Sequence, residues 1–320
     1  MKKLTIGKND AGQRLDKFLF KYFKSIPASI VYKGIRKKRI KVNGKRCDIG
    51  YMLNEGDVLE LYINDEFFDD IKGENDFTDI EPKLDIVYED SNIILVNKRI
   101  GMLCHEDESE SESKNTLINH IKAYLYKKGE YNPDTENSFA PSLCNRIDRN
   151  TGGIVIAAKN AMTLRIMNEK IKLREIDKFY LCLVKGRPKH KEATLKDYLV
   201  KNEEQKRVYI HSKPTKDAKT IITKYKVLKT GEITSLVEVE LMTGRTHQIR
   251  AHMAHIGHPL AGDGKYGTNE FNKTVGMKHQ ALYSYKLRFS FKDKNELSYL
   301  NGKTFEVEDV PFAHDVKWYI

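Results

Sequence analysis

The chain has 320 residues, 40% of them hydrophobic, and a formal net charge of +11, a composition that fits one large core plus a smaller one and suits a polyanionic partner. Cys47, Cys104, Cys144 and Cys182 lie far apart with no C-x-x-C pair, which argues against a zinc ribbon, an iron–sulfur centre or a disulfide framework and leaves free thiols as the expectation. No apolar run follows the lysines of MKKLTIGKND and none nears the roughly 18 residues of a membrane span, so a soluble, cytoplasmic protein is expected.

From the N-terminus, Leu15, Phe18, Leu19, Tyr22 and Phe23 recur at helical spacing, and a second helix is expected from Ser29 to about Ile35. Asn43-Gly44 between extended residues predicts a tight hairpin turn, and Leu59, Leu61 and Ile63 then alternate onto one face of a strand. Eight cations and no acid stand in this stretch: Lys33, Arg36, Lys37, Lys38, Arg39, Lys41, Lys45 and Arg46. A helix end beside a hairpin gathers them on one surface, which is the footprint of phosphate binding more than of a merely solvated face. Residues 1–64 are read as this compact module. Residues 65–82 hold eight acids against the single Lys72 and no sustained period; they are read as an acidic linker whose Phe67, Phe68 and Phe77 are able to dock.

Residues 83–320 are read as one larger domain. LDIVYED and NIILVNKR predict strands, and NTLINHIKAYLYKKG an amphipathic helix ended by Gly129. GGIVIAAKN is a buried strand followed by a helix from Ala161 that Asn160 caps. KFYLCLVKG, TIITKYKVLKT and ITSLVEVELM continue as strands, THQIRAHMAHIG is a helix ended by Gly257 with Pro259 beyond, and YSYKLRFSF is a late strand. Strands joined by turns, with helices interspersed rather than alternating, indicate α+β: a mixed, largely antiparallel sheet with flanking helices.

Two segments carry chemistry. In Asn145-Arg146-Ile147-Asp148-Arg149-Asn150-Thr151-Gly152-Gly153 an acid lies between two arginines, on a loop that turns sharply into the buried strand. The cations favour its ionised form, and a carboxylate on a basic concave surface acts as nucleophile or general base. Alone, the segment reads as a structural Arg–Asp–Arg ion pair. In the second segment Gly244 and Arg245 precede a helix carrying Arg250, and Gly262 to Gly267 form a loop with Asp263, Lys265 and Tyr266. His247, His252, His255 and His258 also lie here, but no local acid or Cys completes a ligand shell; no metal is expected, and the histidines are expected to cap, hydrogen-bond or contact phosphate.

RLDKFLFKYF, RKKRIKVNGKR and GDVLELYI, spanning about residues 12–63, resemble the S-four-like RNA-binding domain. VNKRIGMLCHE, NRIDRNTGGIVIAAKN, KFYLCLVKG, TGRTHQIRAHMAHIGHPLAGDGKYG and QALYSYKLRFSF, in that family's order over about residues 84–292, resemble the RluA/RluC/RluD-type pseudouridine synthases. The resemblance implies isomerisation of uridine to pseudouridine in RNA without a cofactor, on a base flipped out at a cost of roughly a few kcal/mol. It implies that Asp148 is the catalytic acid residue, that Arg245 pairs with its carboxylate, that Tyr180 stacks on the uracil and that Arg146 fills the space the nucleotide leaves. Arg149 and Arg250, with the eight N-terminal cations, complete the expected RNA contacts.

Asn145, Asn150, Gly152 and Arg99 depart from the family's usual His, Asp, Ser and Pro, which bears on the target site more than on activity. The N-terminal module favours large-subunit ribosomal RNA over transfer RNA by analogy, and a monomer is the default. Two other classes stand beside this reading. One is a non-catalytic RNA-binding or ribosome-assembly factor. The other, a nuclease or glycosidase, needs a metal or a second paired carboxylate, and the sequence presents neither.

Overall fold

The computed structural model of the chain describes residues 1–23, 25–69, 77–106 and 114–314, so residues 70–76 of the expected linker lie outside the described residues. Two compact units emerge. One comprises Met1–Pro82, Ile118–Ser142 and Lys159–Leu164, and the other Lys83–Leu117, Leu143–Ala158 and Arg165–Ile320.

The first unit opens with β1 (Lys2–Thr5), α1 (Leu15–Tyr22), α2 (Ala28–Arg36), β2 (Ile40–Val42), β3 (Lys45–Arg46), β4 (Val58–Leu61) and the single turn α3 (Glu66–Asp69), and it takes in most of α4 (Leu117–Lys127). Its four strands run in the order β1-β4-β2-β3. The predicted stripe is its core: Leu15, Phe18, Leu19 and Phe23 pack with Val31, Ile35, Leu59 and Leu61. Asn43 and Gly44 both take positive φ, 52° and 73°, which is the backbone a two-residue hairpin requires. The acidic stretch docks through its aromatics, as Phe68 packs edge-on against Phe23 and Phe77 packs against Tyr126 and Tyr131. Buried Asp10 accepts from Asn137 Nδ2 and Ser138 Oγ, both at 2.7 Å, and Asn9 Nδ2 donates to Glu136, so polar bonds join the ends of this unit's sequence.

The second unit is built on an 11-stranded sheet. Its elements are β5 (Ile86–Glu89), β6 (Ile93–Lys98), β7 (Ser142–Leu143) from Leu143, β8 (Gly152–Ala158), α5 (Ala161–Lys172) from Arg165, β9 (Ile176–Lys185), β10 (Glu192–Asn202), β11 (Arg207–His211), β12 (Lys219–Thr230), β13 (Thr234–Leu241), α6 (Gln248–His255), α7 (Asn269–Val275), β14 (Leu282–Phe289) and β15 (Thr304–Glu306). The main path is β11-β10-β12-β13-β9-β14-β8-β6-β5, with β15 on β14 and β7 on β8. The β14–β8 pair is parallel and the other pairs with a recorded register are antiparallel, which is the mixed, largely antiparallel sheet the sequence indicated. Periodicity did not disclose β1, the β10–β11 hairpin, α7 or β15. β10 is half-buried at alternate positions and rich in Lys and Glu, so its apolar alternation is weak.

Every residue of β8 is buried, as its unbroken GGIVIAA run demands of a strand covered on both faces. The two glycines that open it are fixed by contact. A Cβ on Gly152 would lie 2.4 Å from the Tyr283 ring, and one on Gly153, at φ 114°, would lie 2.2 Å from Ser284 O. Gly153→Ala is therefore expected to lower stability by on the order of 3 kcal/mol, through positive-φ strain plus backbone collision. Denaturant unfolding checks this, and a midpoint equal to the parent's would rule out so close an approach of β14.

Candidate active site

The loop before β8 is anchored at both ends. Cys144 N donates to Ile156 O at 2.7 Å and Ile156 N to Asn145 Oδ1 at 2.8 Å, so Asn145 braces the loop's base. Thr151 N donates to Asp148 O at 3.0 Å and closes a turn. Lys98, almost fully buried at the end of β6, donates from Nζ to Arg99 O (3.0 Å), Met102 O (2.8 Å) and Arg149 O (2.9 Å), and burial brings its ammonium down to about 8. Arg149 Nε returns a bond to Gly101 O at 3.1 Å. The turn bearing Asp148 is thus held by the neighbouring turn's main chain.

The second segment is fixed by Gln248, which is buried and uses its whole amide. Nε2 donates to Ile222 O (3.1 Å) and Thr223 Oγ1 (3.0 Å), and Oε1 accepts from Thr243 Oγ1 (2.9 Å) and Arg245 N (3.2 Å). His247 precedes it at φ 53°, so α6 begins at Gln248 and not at Thr246 as the sequence indicated. This left-handed residue is a strained position of the kind that gathers at functional sites.

These segments meet at Asp148. Arg250 Nη1 donates to Asp148 Oδ2 at 2.9 Å, while its Nε and Nη2 donate to Asp263 Oδ2 and Oδ1 at 2.7 and 2.9 Å. The arginine forks onto one fully buried acid and spares its third nitrogen for an acid whose side chain is 31% exposed. Burial opposes charge on both members of the buried pair, yet their mutual bonds win: Arg250 is held above its ordinary value and Asp263 below the usual carboxylate range. Asp263 also accepts from Lys265 N (2.9 Å) and Tyr266 N (3.1 Å), which leaves none of its charge unanswered. His247 Nε2 stands 3.8 Å from Asp148 Oδ2, and its Nδ1 is bonded to Tyr266 OH at 3.0 Å. Burial pushes His247 below the ordinary histidine value despite the pull of Asp148, so the ring is neutral at pH 7.

The sequence expectation that Arg245 pairs with Asp148 is corrected: Arg250 makes that ion pair, and Arg245 has none within 4 Å of the acid. Arg250, expected among the RNA contacts, is 7% exposed and committed to two carboxylates, so its guanidinium is an internal brace. Arg245 nonetheless lines the same cavity of about 440 Å³ as Asp148, Arg146, Tyr180, His247 and Arg250. Tyr180, on β9, is 6% exposed, and burial pushes its phenol up to about 12. Lys178, two residues earlier and so on the same side of the strand, also lines the cavity; its ammonium has no hydrogen-bond or ion-pair partner among the described residues. Arg149 lines a neighbouring cavity of about 420 Å³ with Arg146 and His105.

Sequence reasoning placed Asp263 and His247 in the second segment without a role beside Asp148, and it missed Lys178. An acid in the GDGKYG loop, five residues from the last histidine of a basic segment, was the available signal for Asp263. The histidines disperse. His252 is buried between Thr223 Oγ1 (2.9 Å) and Asp197 Oδ2 (3.0 Å), and His258 Nδ1 bonds Lys185 O (2.8 Å). No cluster of three or more potential metal ligands occurs among the described residues.

In the first unit, Lys33 and Arg36 on the last turn of α2 and Arg46 on β3 border a cavity of about 730 Å³ with exposed Tyr32 and Ile49. Lys37, Lys38, Arg39 and Lys45 are exposed, and Lys41 lies half-buried with Nζ 5.4 Å from the Tyr62 ring. None of the eight cations is ion-paired among the described residues. No helix among the described residues is long and apolar enough to cross a membrane.

The RNA pseudouridylate synthase family model matches residues 92–255, and the S4 domain model matches residues 13–59. A protein of Mycoplasma capricolum subsp. capricolum described as an uncharacterized RNA pseudouridine synthase is 34% identical over 317 residues, 95% of this chain and 96% of its own. The ribosomal large subunit pseudouridine synthase C of Yersinia pestis is 30% identical over 305 residues, 92% of this chain and 89% of its own. The solved structure of human RNA pseudouridylate synthase domain containing 1 has a TM-score of 0.54 at 24% identity, covering 67% of this chain and 83% of that one, a likeness of fold.

Proposed function

This chain belongs to the RNA pseudouridine synthase family, with an S4 domain at its N-terminus, and on that premise we propose that Asp148 is the catalytic carboxylate and large-subunit ribosomal RNA the substrate. The observation that carries the first half is the 2.9 Å bond from buried Arg250 to Asp148 on the wall of a cavity that also holds Tyr180. The arginine holds the carboxylate in place while its own charge is anchored on Asp263, so that the geometry is set before RNA arrives.

The reaction breaks the bond from N1 of uracil to the sugar and makes one from C5 to the same carbon; the C5 hydrogen leaves and N1 regains a proton. Nothing is oxidised and nothing is hydrolysed, so the chemistry needs placement and charge. A cavity of about 440 Å³ suits a single everted nucleotide, with Tyr180 as the stacking partner and Arg146 available to occupy the vacated helix position. Arg245, unpaired with the acid, is left to meet the nucleotide or its phosphate. His247, neutral and beside Asp148, is a partner for the ribose hydroxyls.

Support for the ribosomal target comes from the Yersinia pestis relative's name and from the S4 domain with its unpaired cations. Location in the cytoplasm, where that RNA is assembled, completes the reading. Mapping pseudouridines in large-subunit ribosomal RNA and in transfer RNA, with and without this gene, tests it: loss of specific ribosomal sites is expected, and loss confined to transfer RNA would redirect the target.

The N-terminal cations are read as phosphate contacts. Replacing Lys37 and Arg39 by Gln, and Lys38 by Asn because its φ is 58°, is expected to weaken RNA binding and to flatten the slope of log Kd against log salt by about 1 per cation. An unchanged slope would show that this surface does not touch RNA.

A further inference from the structure

A second, larger cavity in the same unit lies against the back of Arg250. It has a volume of about 620 Å³ and is bordered by Asn150, two residues after Asp148, by the Gly262–Lys265 loop, by the tip of the β10–β11 hairpin and by Lys278–Gln280. Among the described residues no carboxylate lines it, whereas Arg207, Lys265 and Lys278 do. Arg250 also borders it, but that charge is taken by Asp148 and Asp263, so the cavity's own cations are uncompensated.

Arg207 is the informative residue. Its guanidinium carbon lies 5.1 Å from the centroid of the Tyr266 ring and 5.8 Å from that of Tyr209, within cation–π range of both. Its Nε is buried and has no hydrogen-bond partner among the described residues. A buried donor left unpaired costs about 1–3 kcal/mol, a cost that an acceptor reaching Arg207 would relieve. Lys265 Nζ donates to Lys206 O at 2.7 Å and ties the hairpin tip to the loop, while Lys278 stands exposed at the rim. Tyr266, 5.1 Å from Arg207, bonds His247 and meets its ring edge to face, and His247 stands 3.8 Å from Asp148, while Arg250 lines both the cavity and the candidate site.

We propose that this cavity is a phosphate subsite for the RNA backbone next to the everted uridine, with Arg207 and Lys278 as its ligands. The inference rests on the reading of the Asp148 cavity as the uridine site and extends it by naming where the adjoining strand is held. Arg250 lines both cavities and Asn150 stands on the loop that carries Asp148, which places the anion beside a strand whose uridine is bound at Asp148. Its volume exceeds what a lone phosphate needs and accommodates a sugar-phosphate unit.

Binding of a uridine-containing single-stranded RNA oligonucleotide to the full chain, followed by anisotropy across a salt series, tests the proposal. Lys278→Gln and Arg207→Gln are each expected to raise Kd about tenfold and to reduce the salt slope by about 1. Lys294→Gln, an exposed lysine outside the cavity, is expected to leave both unchanged. A second arm replaces the phosphodiesters flanking the uridine by neutral methylphosphonates, which should cost the parent affinity and the Lys278→Gln protein little. Because affinity and not turnover is read, the outcome is independent of whether Asp148 proves to be the reacting carboxylate. Lys278 is exposed, so its variant decides the matter even if Arg207→Gln fails to fold. Parent-like Kd and slope in Lys278→Gln, or indifference of the parent to methylphosphonates, would overturn the proposal.

Discussion

Replacing Arg250 by methionine is expected to cost about 3–5 kcal/mol of stability and to lower pseudouridine formation about 100-fold or more. Removing the guanidinium leaves Asp263, with no exposed surface, as an unpaired carboxylate in the interior. The remaining bonds from Lys265 N and Tyr266 N do not replace a bidentate cation. Asp148 loses the bond that sets its position, and displacement on the scale of an ångström is enough for the expected loss of rate.

The pH dependence distinguishes this cause from a packing defect. In the parent protein Asp263 is held below its ordinary value, so its contribution to stability is present at neutral pH and is lost as the pH falls through the depressed folded value. In Arg250→Met the burial is no longer answered, the carboxyl moves above its ordinary value, and the native state is favoured by protonation. The gap between parent and variant should therefore shrink as the pH is lowered from 7 towards 4, with unfolded carboxyls near 3.9. Adding Asp263→Asn to Arg250→Met removes the stranded charge and should recover much of the stability without recovering activity. Urea unfolding of the three proteins checks both points. Equal stability of the single and double variants at every pH would mean that the ion pair is not what Arg250 contributes.

How far the molecule was legible before its structure depends on the distance over which each feature is decided. Local signals served well: the α1 stripe became the core of the first unit, and Asn43-Gly44 took the backbone its residues prefer. The β8 run was read as buried from its composition, and it is. The weak β10 alternation and the short β1 and β15 carry too few apolar residues to announce themselves, because these strands are half-exposed and are held by partners far along the chain.

The pairing of Asp148 is the instructive failure. Arg245 and Arg250 stand five residues apart on either side of a helix start, and nothing local says which one turns inward. The choice is made by Gln248, whose amide pins the helix start to Ile222 and Thr223, and by Asp263, which supplies the buried countercharge. Both are tertiary facts. Once Asp263 is in place, only the arginine on the body of α6 is able to reach two carboxylates.

Asp148→Asn addresses the chemistry itself. The amide has nearly the shape of the acid and is able to accept from Arg250, and the side chain is partly exposed, so folding and RNA affinity should change little. It can neither act as a nucleophile nor take a proton at neutral pH, and losses of at least about 1000-fold accompany removal of a group in that role. A structural ion pair predicts the opposite division: a small effect on rate, with any cost appearing in stability.

Release of tritium from ribosomal RNA labelled at C5 of uridine reports the step in which C5 exchanges its hydrogen for the sugar bond. Purified parent enzyme should release label in proportion to the pseudouridine formed, and Asp148→Asn, at equal occupancy of RNA, should release none above background. Parental release by the Asp148→Asn protein would contradict the assignment of this carboxylate, and with it the account of the site.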